Sequence, residues 1–346
     1  MDDYGYLNAR IRAMNGELFQ EAVLLDLLAQ AELTQMTDSL LSSPYGEDLS
    51  LALTGGNGLG AIERALRRNL QRTFRKVLRM CGGEPYRLTS ILLSNWDVFN
   101  IKTVLRGKQR DLPQEEILSA LIPIGELDEA KLSELTRQDH VKAVVDTLAT
   151  WGSPFATPLT QAFPEYLEKR QLSILEKTLD EFYFKWALSQ TAHEAENEQL
   201  VRTIIREQID YLNVVSALKI VSGREKVKAV FIPGGFLSLS FLNSLCQCKS
   251  PGEVLDILGK TGLVPPWEKE LLAWKEQPQT SDIQRLLEAS FMQKWAGMIR
   301  KDPLSISIIL GFLGRKFNEF VNLRIIARGK AHGVPVDTIR GELVFV

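Results

Sequence analysis

The sequence predicts a nearly all-α protein built from about three copies of one helical unit, and three observations carry that expectation. Apolar residues recur at three- and four-residue steps through "AIERALRRNLQRTFRKVLRM", "RQLSILEKTLDEFYFKWALSQ" and "SDIQRLLEASFMQKWAGMIRK", the spacing that lines one side of a helix. Alternating apolar runs bounded by turn residues are scarce, "KAVFIP" and "ELVFV" being the nearest. The third observation is a long-range repetition: "DVFNIKTVLRGK" (Asp97–Lys108) returns as "EFVNLRIIARGK" (Glu319–Lys330), with Asn, Arg, Gly and Lys at the same four places.

Composition excludes several classes. The 346 residues, 45% hydrophobic and 24% charged, describe a globular chain with ample material for a core. Its 41 basic and 43 acidic residues leave a formal charge of -2, so no basic field is available for a nucleic-acid backbone. The opening "MDDYGYLNARIRAM" lacks the basic start and apolar run of a secretory signal, which predicts a cytoplasmic chain. "PLSISIILGFLG" and "AVFIPGGFLSLSFL" are too short, or too interrupted by Pro and Gly, to cross a bilayer as helices. Any meeting with a membrane is expected through another protein. Three cysteines (Cys81, Cys246 and Cys248) and three histidines without ligand spacing predict reduced thiols and no metal site.

"SLALTGGNGLGAIERAL" sets an apolar run before Gly56-x-Gly58-x-x-Ala61, which formally satisfies a dinucleotide fingerprint. That fingerprint also needs a second strand ending in an acid about twenty residues later. An Arg-rich helix occupies the interval, so the glycines read as a helix-start loop. Neither a phosphate-binding G-x-x-x-x-G-K-[ST] loop, a G-x-S-x-G elbow nor an H-E-x-x-H helix occurs, and neither catalytic residues nor a cofactor are expected.

The repetition extends to a third segment, "DYLNVVSALKIV". Asn213 follows Asp210 by three residues, as Asn100 follows Asp97 and Asn322 follows Glu319; the Asn positions lie 113 and 109 residues apart. Six residues after each Asn stands a basic residue, Arg106, Lys219 and Arg328. "IPIGELDEAKLSEL" (122–135) and "IPGGFLSLSFLNSL" (232–245) agree at six of fourteen positions, and "VVDTL" and "VLDIL" also lie 110 apart. The "KW" pairs ending at Trp186 and Trp295 lie 109 apart. At the start, Asn8 is followed two places on by Arg10, a related beginning. The expected units are 1–95, 96–205 and 206–314, with 315–346 a partial further copy, and the units could stack openly or close into a ring.

Asn is a poor residue for a helix interior, so its return among apolar neighbours predicts a buried polar contact that sets how adjacent helices meet, with a direct contact to a partner protein the alternative. Lys102 and Arg106 point away from that side as an i,i+4 pair and read as a solvated face, with a docking site the alternative. The apolar "IRGELVFV" is expected to pack against the N-terminal unit.

"YGYLNARIRAM", the D-x-x-N-[IV] segments at 97 and 210, "FNEFVNLRIIARGKAHGVP" and "IRGELV" together resemble the C subunit of bacterial and archaeal V/A-type ATPases, which is similar to the d subunit of the eukaryotic vacuolar ATPase. The resemblance spans essentially the whole chain; Lys219 in place of Arg, and "KIVSG" in place of the "RGK" ending, are its departures. It implies a pseudo-threefold helical funnel without enzymatic activity, monomeric when isolated. Such a protein sits on the cytoplasmic face of the proteolipid rotor ring and receives the D and F subunits of the central stalk, so that torque moves H+ or Na+. A helical-repeat scaffold for another cytoplasmic partner, or a nucleotide-dependent enzyme using the Gly56 loop, are the alternatives.

Overall fold

The computed structural model describes residues 4–193, 195–223, 231–260 and 280–346, and every regular element among them is helical. Four short helices, α1 (Tyr4–Gly16), α2 (Glu21–Ala29), α3 (Leu33–Leu41) and α4 (Gly46–Leu53), lead into α5 (Leu59–Met80) and the long α6 (Gly83–Gln109). A second series follows: α7 (Gln114–Ala120), α8 (Glu129–Arg137), α9 (Val141–Thr150), α10 (Ala156–Lys169), α11 (Ser173–Gln190) and the long α12 (Glu196–Val221). The third comprises α13 (Leu239–Leu245), α14 (Pro251–Gly259), α15 (Thr280–Gly297) and the long α16 (Ser307–Ala331), after which comes α17 (Val336–Glu342). The expected boundaries at 95/96, 205/206 and 314/315 each fall inside a long helix, which runs through them unbroken.

The repeated letters have local physical causes. After α6 and α16 the chain turns back sharply, with the N–H of Leu112 donating to the Gly107 carbonyl and that of Val334 to the Gly329 carbonyl, both at 2.9 Å. A Cβ on Gly107 would overlap Ile117, and one on Gly329 would overlap Ile339, so the glycine of "RGK" lets the next short helix lie against the long one. Pro113 and Pro335 then stand just before α7 and α17, where a missing N–H leaves no helical bond unmade.

Each long helix packs against the helix that introduces the next one: α6 against α11, α12 against α15, and α16 against α5. The packing thereby runs from the last long helix back to the first part of the chain. At their N-terminal ends the three long helices are also tied together. Asn197 donates to Glu84 Oε2 at 3.1 Å, and Asn197 Oδ1 accepts from the Ile306 N–H at 3.0 Å. Glu84, Asn197 and Ile306 are separated by the same 113 and 109 residues as the repeated asparagines. Tyr4 joins them through its hydroxyl to Glu84 at 2.9 Å.

One large apolar core runs through α1–α12, α16 and α17, and a smaller cluster groups Val214, Leu218, Leu242, Leu245, Val254 and Leu258. Of "KAVFIP", Lys228–Val230 lie outside the described residues, while "ELVFV" is the end of α17 followed by extended chain. That extended chain is held by Asn318 and Asn322, whose amides both donate to the Val344 carbonyl at 2.7 Å, while Asn322 Oδ1 accepts from the Val344 N–H at 3.1 Å. Helix α17 packs on α2 as well as α16, and Ile339 and Leu343 belong to the large core.

Deleting residues after Arg340 removes these three bonds and the burial of Leu343, and should lower stability by about 3 kcal/mol or more. A lowered thermal midpoint for the truncated chain checks this. Rapid protease trimming of the tail in the intact protein would rule it out.

Candidate functional site

The asparagines and acids of the repeat form backbone clamps. Asn100 donates from Nδ2 to the Ile122 carbonyl at 2.8 Å and accepts the Ile122 N–H on Oδ1 at 2.9 Å. One turn earlier Asp97 takes the N–H groups of Glu126 and Leu127 on its two oxygens, each at 2.9 Å. In the second copy Asn213 makes both bonds to Ile232 at 2.8 Å, and Asp210 accepts from Phe236 at 2.8 Å and Leu237 at 3.0 Å. An extended segment has no ladder of its own here, so the side chains supply the partners that its buried peptide groups require. Their target is this returning segment, where the sequence suggested a contact between adjacent helices.

The clamp also explains the I-P-x-G-x-L pattern. A Cβ on Gly125 would overlap the Asp97 carboxylate, and one on Gly235 the Asp210 carboxylate. Three residues on from each glycine, Asp128 and Ser238 cap α8 and α13 by accepting from Lys131 N at 2.9 Å and Phe241 N at 3.2 Å. In the same register His140 and Ser250 cap α9 and α14, whose "VVDTL" and "VLDIL" valines and leucines are buried.

The other copies vary this scheme. Asn322 clamps Val344, but Glu319 turns to the N-terminal part of the chain. It accepts from the Phe19 N–H at 2.6 Å, from Lys316 Nζ at 2.6 Å and from the Tyr45 hydroxyl. Burial, then the Glu319 carboxylate, pushes the Tyr45 phenol well above its usual range. Asn8 makes no clamp: it donates to the carbonyls of Pro303 and Ser305, both at 2.8 Å, and Arg10 stands over the Tyr6 ring. Burial raises both clamp aspartates, Asp97 to about 6, against the stabilising pull of the N–H groups.

Lys102 and Arg106 are not a merely solvated face. Lys102 pairs with Asp180 at 2.7 Å and Arg106 with Glu176, both on α11. At the α16–α5 joint Arg328 pairs with Glu63, which stands 113 residues before Glu176 and is therefore its equivalent. The acids share the period of the bases, a signal present in the sequence but hidden by its distance from the motif. At the α12–α15 joint the position equivalent to Glu176 is Arg285, which bonds to the Gly341 carbonyl and to Glu342. Among the described residues Lys219 has no ion-pair partner, so the departure from Arg at this copy accompanies a change of sign across the joint.

The Gly56 loop follows helix α4, where a dinucleotide site needs a strand. Arg64 donates to the Ala52 carbonyl at 3.1 Å and the Gly56 carbonyl at 3.2 Å, so the loop turns acceptors inward where a phosphate cradle presents N–H groups. Next to it a cavity of about 690 Å³ opens between α4–α5 and α7–α8, with Arg64, Arg67 and Arg68 along one wall and Leu118, Leu121 and Leu132 among its apolar lining.

Residues 7–342 match the family model described as "ATP synthase (C/AC39) subunit". The chain belongs to this family. It is similar to the C subunit of the A-type ATP synthase of Halorubrum lacusprofundi, at 28% identity over 98% of this chain and 97% of that protein. It is 27% identical to the C subunit of the V-type ATP synthase of Deinococcus radiodurans, covering 99% of this chain and 91% of that one. The A-type C subunit of Haloferax volcanii is 29% identical, with 99% and 97% covered. In this C/AC39-family chain no described helix is long and apolar enough to cross a membrane, and no described group of three or more His, Cys, Asp or Glu could hold a metal ion.

Replacing Asn100 or Asn213 by Leu leaves a buried N–H and C=O without partners and should cost about 1–3 kcal/mol each, read from denaturant midpoints; unchanged midpoints in both would contradict the clamp. Asp97 gives a pH test. Its folded value of about 6 lies above the ordinary 3.8, so the folded state binds the proton more tightly. Stability from this group is present below pH 3.8 and is lost as pH rises through about 6, by up to about 3 kcal/mol. Asp97→Asn should flatten that part of the stability–pH curve, and an unaltered curve would refute the assignment.

Proposed function

We propose that this chain is a non-catalytic central-axis adaptor of a rotary V/A-type ATPase. It joins the central stalk, made of the D and F subunits, to the proteolipid rotor ring on the cytoplasmic face of the membrane. Its three units form a pseudo-threefold funnel, and torque passing through it drives H+ or Na+ transport. Membership of the ATP synthase (C/AC39) subunit family over residues 7–342 carries this reading. The return of the packing from α16 to α5, and the meeting of Glu84, Asn197 and Ile306 at equivalent places, support the closed arrangement.

A coupling element needs stiffness and matched surfaces, and the chemistry found here suits that work. Peptide groups in the segments between helices are clamped by buried side chains, and an ion pair braces each of the three joints between units, Lys102–Asp180, Glu207–Lys294 and Glu63–Arg328. A twisting load on one unit then passes to its neighbours through packed helices rather than through slack loops. Interfaces of this kind draw strength from buried area and complementary charge, with no bond made or broken.

Membranes that lack the protein should retain ATP hydrolysis by the detached head while ATP-driven ion pumping disappears, and adding the purified chain should restore pumping. Undiminished pumping without it would exclude the adaptor role. Loss of hydrolysis by the intact detached head would point to a part in catalysis.

A further inference from the structure

The joint between α6 and α11 and the joint between α16 and α5 are built on the same register, and they differ at one pair. Lys102 faces Asp180 in the first, both less than a quarter exposed. Counting 222 residues on from Lys102 and 113 back from Asp180 gives Arg324 and Arg67 in the second. Where one joint holds a cation and a carboxylate, the other holds two guanidinium groups. At the α12–α15 joint the same two places are Val215 and Ala289, so charge at this position is not a requirement of the packing.

Arg67 lies close to Arg324, Arg64 and Arg328, and Glu63 is the one acid acting on it. Glu63 is held by Arg328. Arg64 is occupied by the carbonyls of the Gly56 loop, and Arg68 by Asp48 at 3.3 Å. Among the described residues neither Arg67 nor Arg324 has an ion-pair partner; Arg324 lies over the Phe320 ring at 5.4 Å. Burial and the neighbouring guanidinium groups lower both from the ordinary arginine value. Two partly buried guanidinium groups with no facing carboxylate leave a local excess of positive charge that an incoming anion offsets.

Arg67 lines the cavity of about 690 Å³ between α4–α5 and α7–α8, a space that takes a few side chains rather than a whole domain. Leu51, Leu118, Leu121, Pro123 and Leu132 make much of it apolar, and Glu115 and Glu129 also border it. Those two acids oppose a polyphosphate. A single carboxylate set directly against Arg67, at the far end of an apolar segment, meets less of that repulsion than several phosphate charges would. We propose that Arg67, with Arg324 behind it, forms the anion-binding end of a docking groove for an amphipathic segment of a partner protein, one carboxylate of which takes the place that Asp180 fills in the α6–α11 joint. The inference rests on the adaptor reading, and it specifies the chemistry of one contact within it.

The test uses the full-length chain and a stalk subcomplex of the same ATPase as the probe. Arg67→Asp places a carboxylate beside Arg324, recreating the internal pair, and should weaken stalk binding about tenfold or more without lowering the melting temperature. Arg79→Asp, the same charge change on the exposed far end of α5, should bind like the parent. If Arg67→Asp misfolds by circular dichroism, Arg67→Gln, which only removes the charge, decides by the same binding measurement. Equal stalk binding by parent and variant overturns the proposal while leaving the adaptor reading intact. A parent chain that binds neither stalk nor rotor ring removes the adaptor reading and this proposal with it. Inorganic phosphate is the second probe: a melting temperature raised in the parent but not in Arg67→Asp, with stalk binding equal in both, would reassign the pair to a free oxyanion.

Discussion

An extended segment that returns along the side of a helix carries N–H and C=O groups that no sheet satisfies, and burying them unpaired costs more than most packing contacts return. The long helices meet this constraint with a side chain that imitates a peptide: one Asn amide both donates to and accepts from a single residue, Ile122, Ile232 or Val344. Much else in the chain follows from it. The Asp one turn earlier holds the next pair of N–H groups, the glycine beneath that Asp has to lack a Cβ, and the residue two places after the glycine's own neighbour starts a capped helix.

The joints between units use a different principle and tolerate more change. Helix–helix packing is common to all three, while the charges laid over it range from matched ion pairs at α6–α11 to a cluster of arginines at α16–α5. Partly exposed ion pairs contribute only about 0–1 kcal/mol each, so stability leaves them free to diverge. A buried clamp has no such freedom, because removing either partner strands the other. This contrast explains why Asn recurs at 100, 213 and 322, while position 219 is Lys and position 67 is Arg.

The helical class was legible because apolar residues at three- and four-residue steps report which side of a helix is buried, and the long helices fall where that spacing is sustained. The Asn, Gly and Pro of the repeat were legible as a pattern, since each answers a steric or hydrogen-bonding demand of its own position. Their partners were not. That Asn100 reaches Ile122 could be suspected from two motifs sharing one period, but backbone groups leave no letter in the sequence, and a neighbouring helix is the expectation that the letters alone support. The bases at 102 and 106 look solvated in the sequence because their acids lie about seventy residues away, at 180 and 176, beyond any local spacing rule. Tyr45, Lys316 and Glu319 were invisible for the same reason, joining parts of the chain 274 residues apart.

The pairing of α5 with α16 has a consequence for how the protein is made. Arg328 and Glu63 are 265 residues apart, so the contact that unites them belongs to the slowest class to form, in which a long loop must be ordered before any reward is gained. During synthesis at about 5–20 residues per second, α5 leaves the ribosome well before α16 exists. Through that interval its apolar side, with Leu66, Leu70 and Phe74, lacks its final neighbour and is open to the wrong one. Arg68, Arg72, Arg75 and Arg79, away from Leu66, Leu70 and Phe74, keep the waiting helix charged and discourage association with other nascent chains. Helices α1, α2, α3 and α5 all wait for α16, and arrest of translation before it would leave the sides that it covers open to solvent.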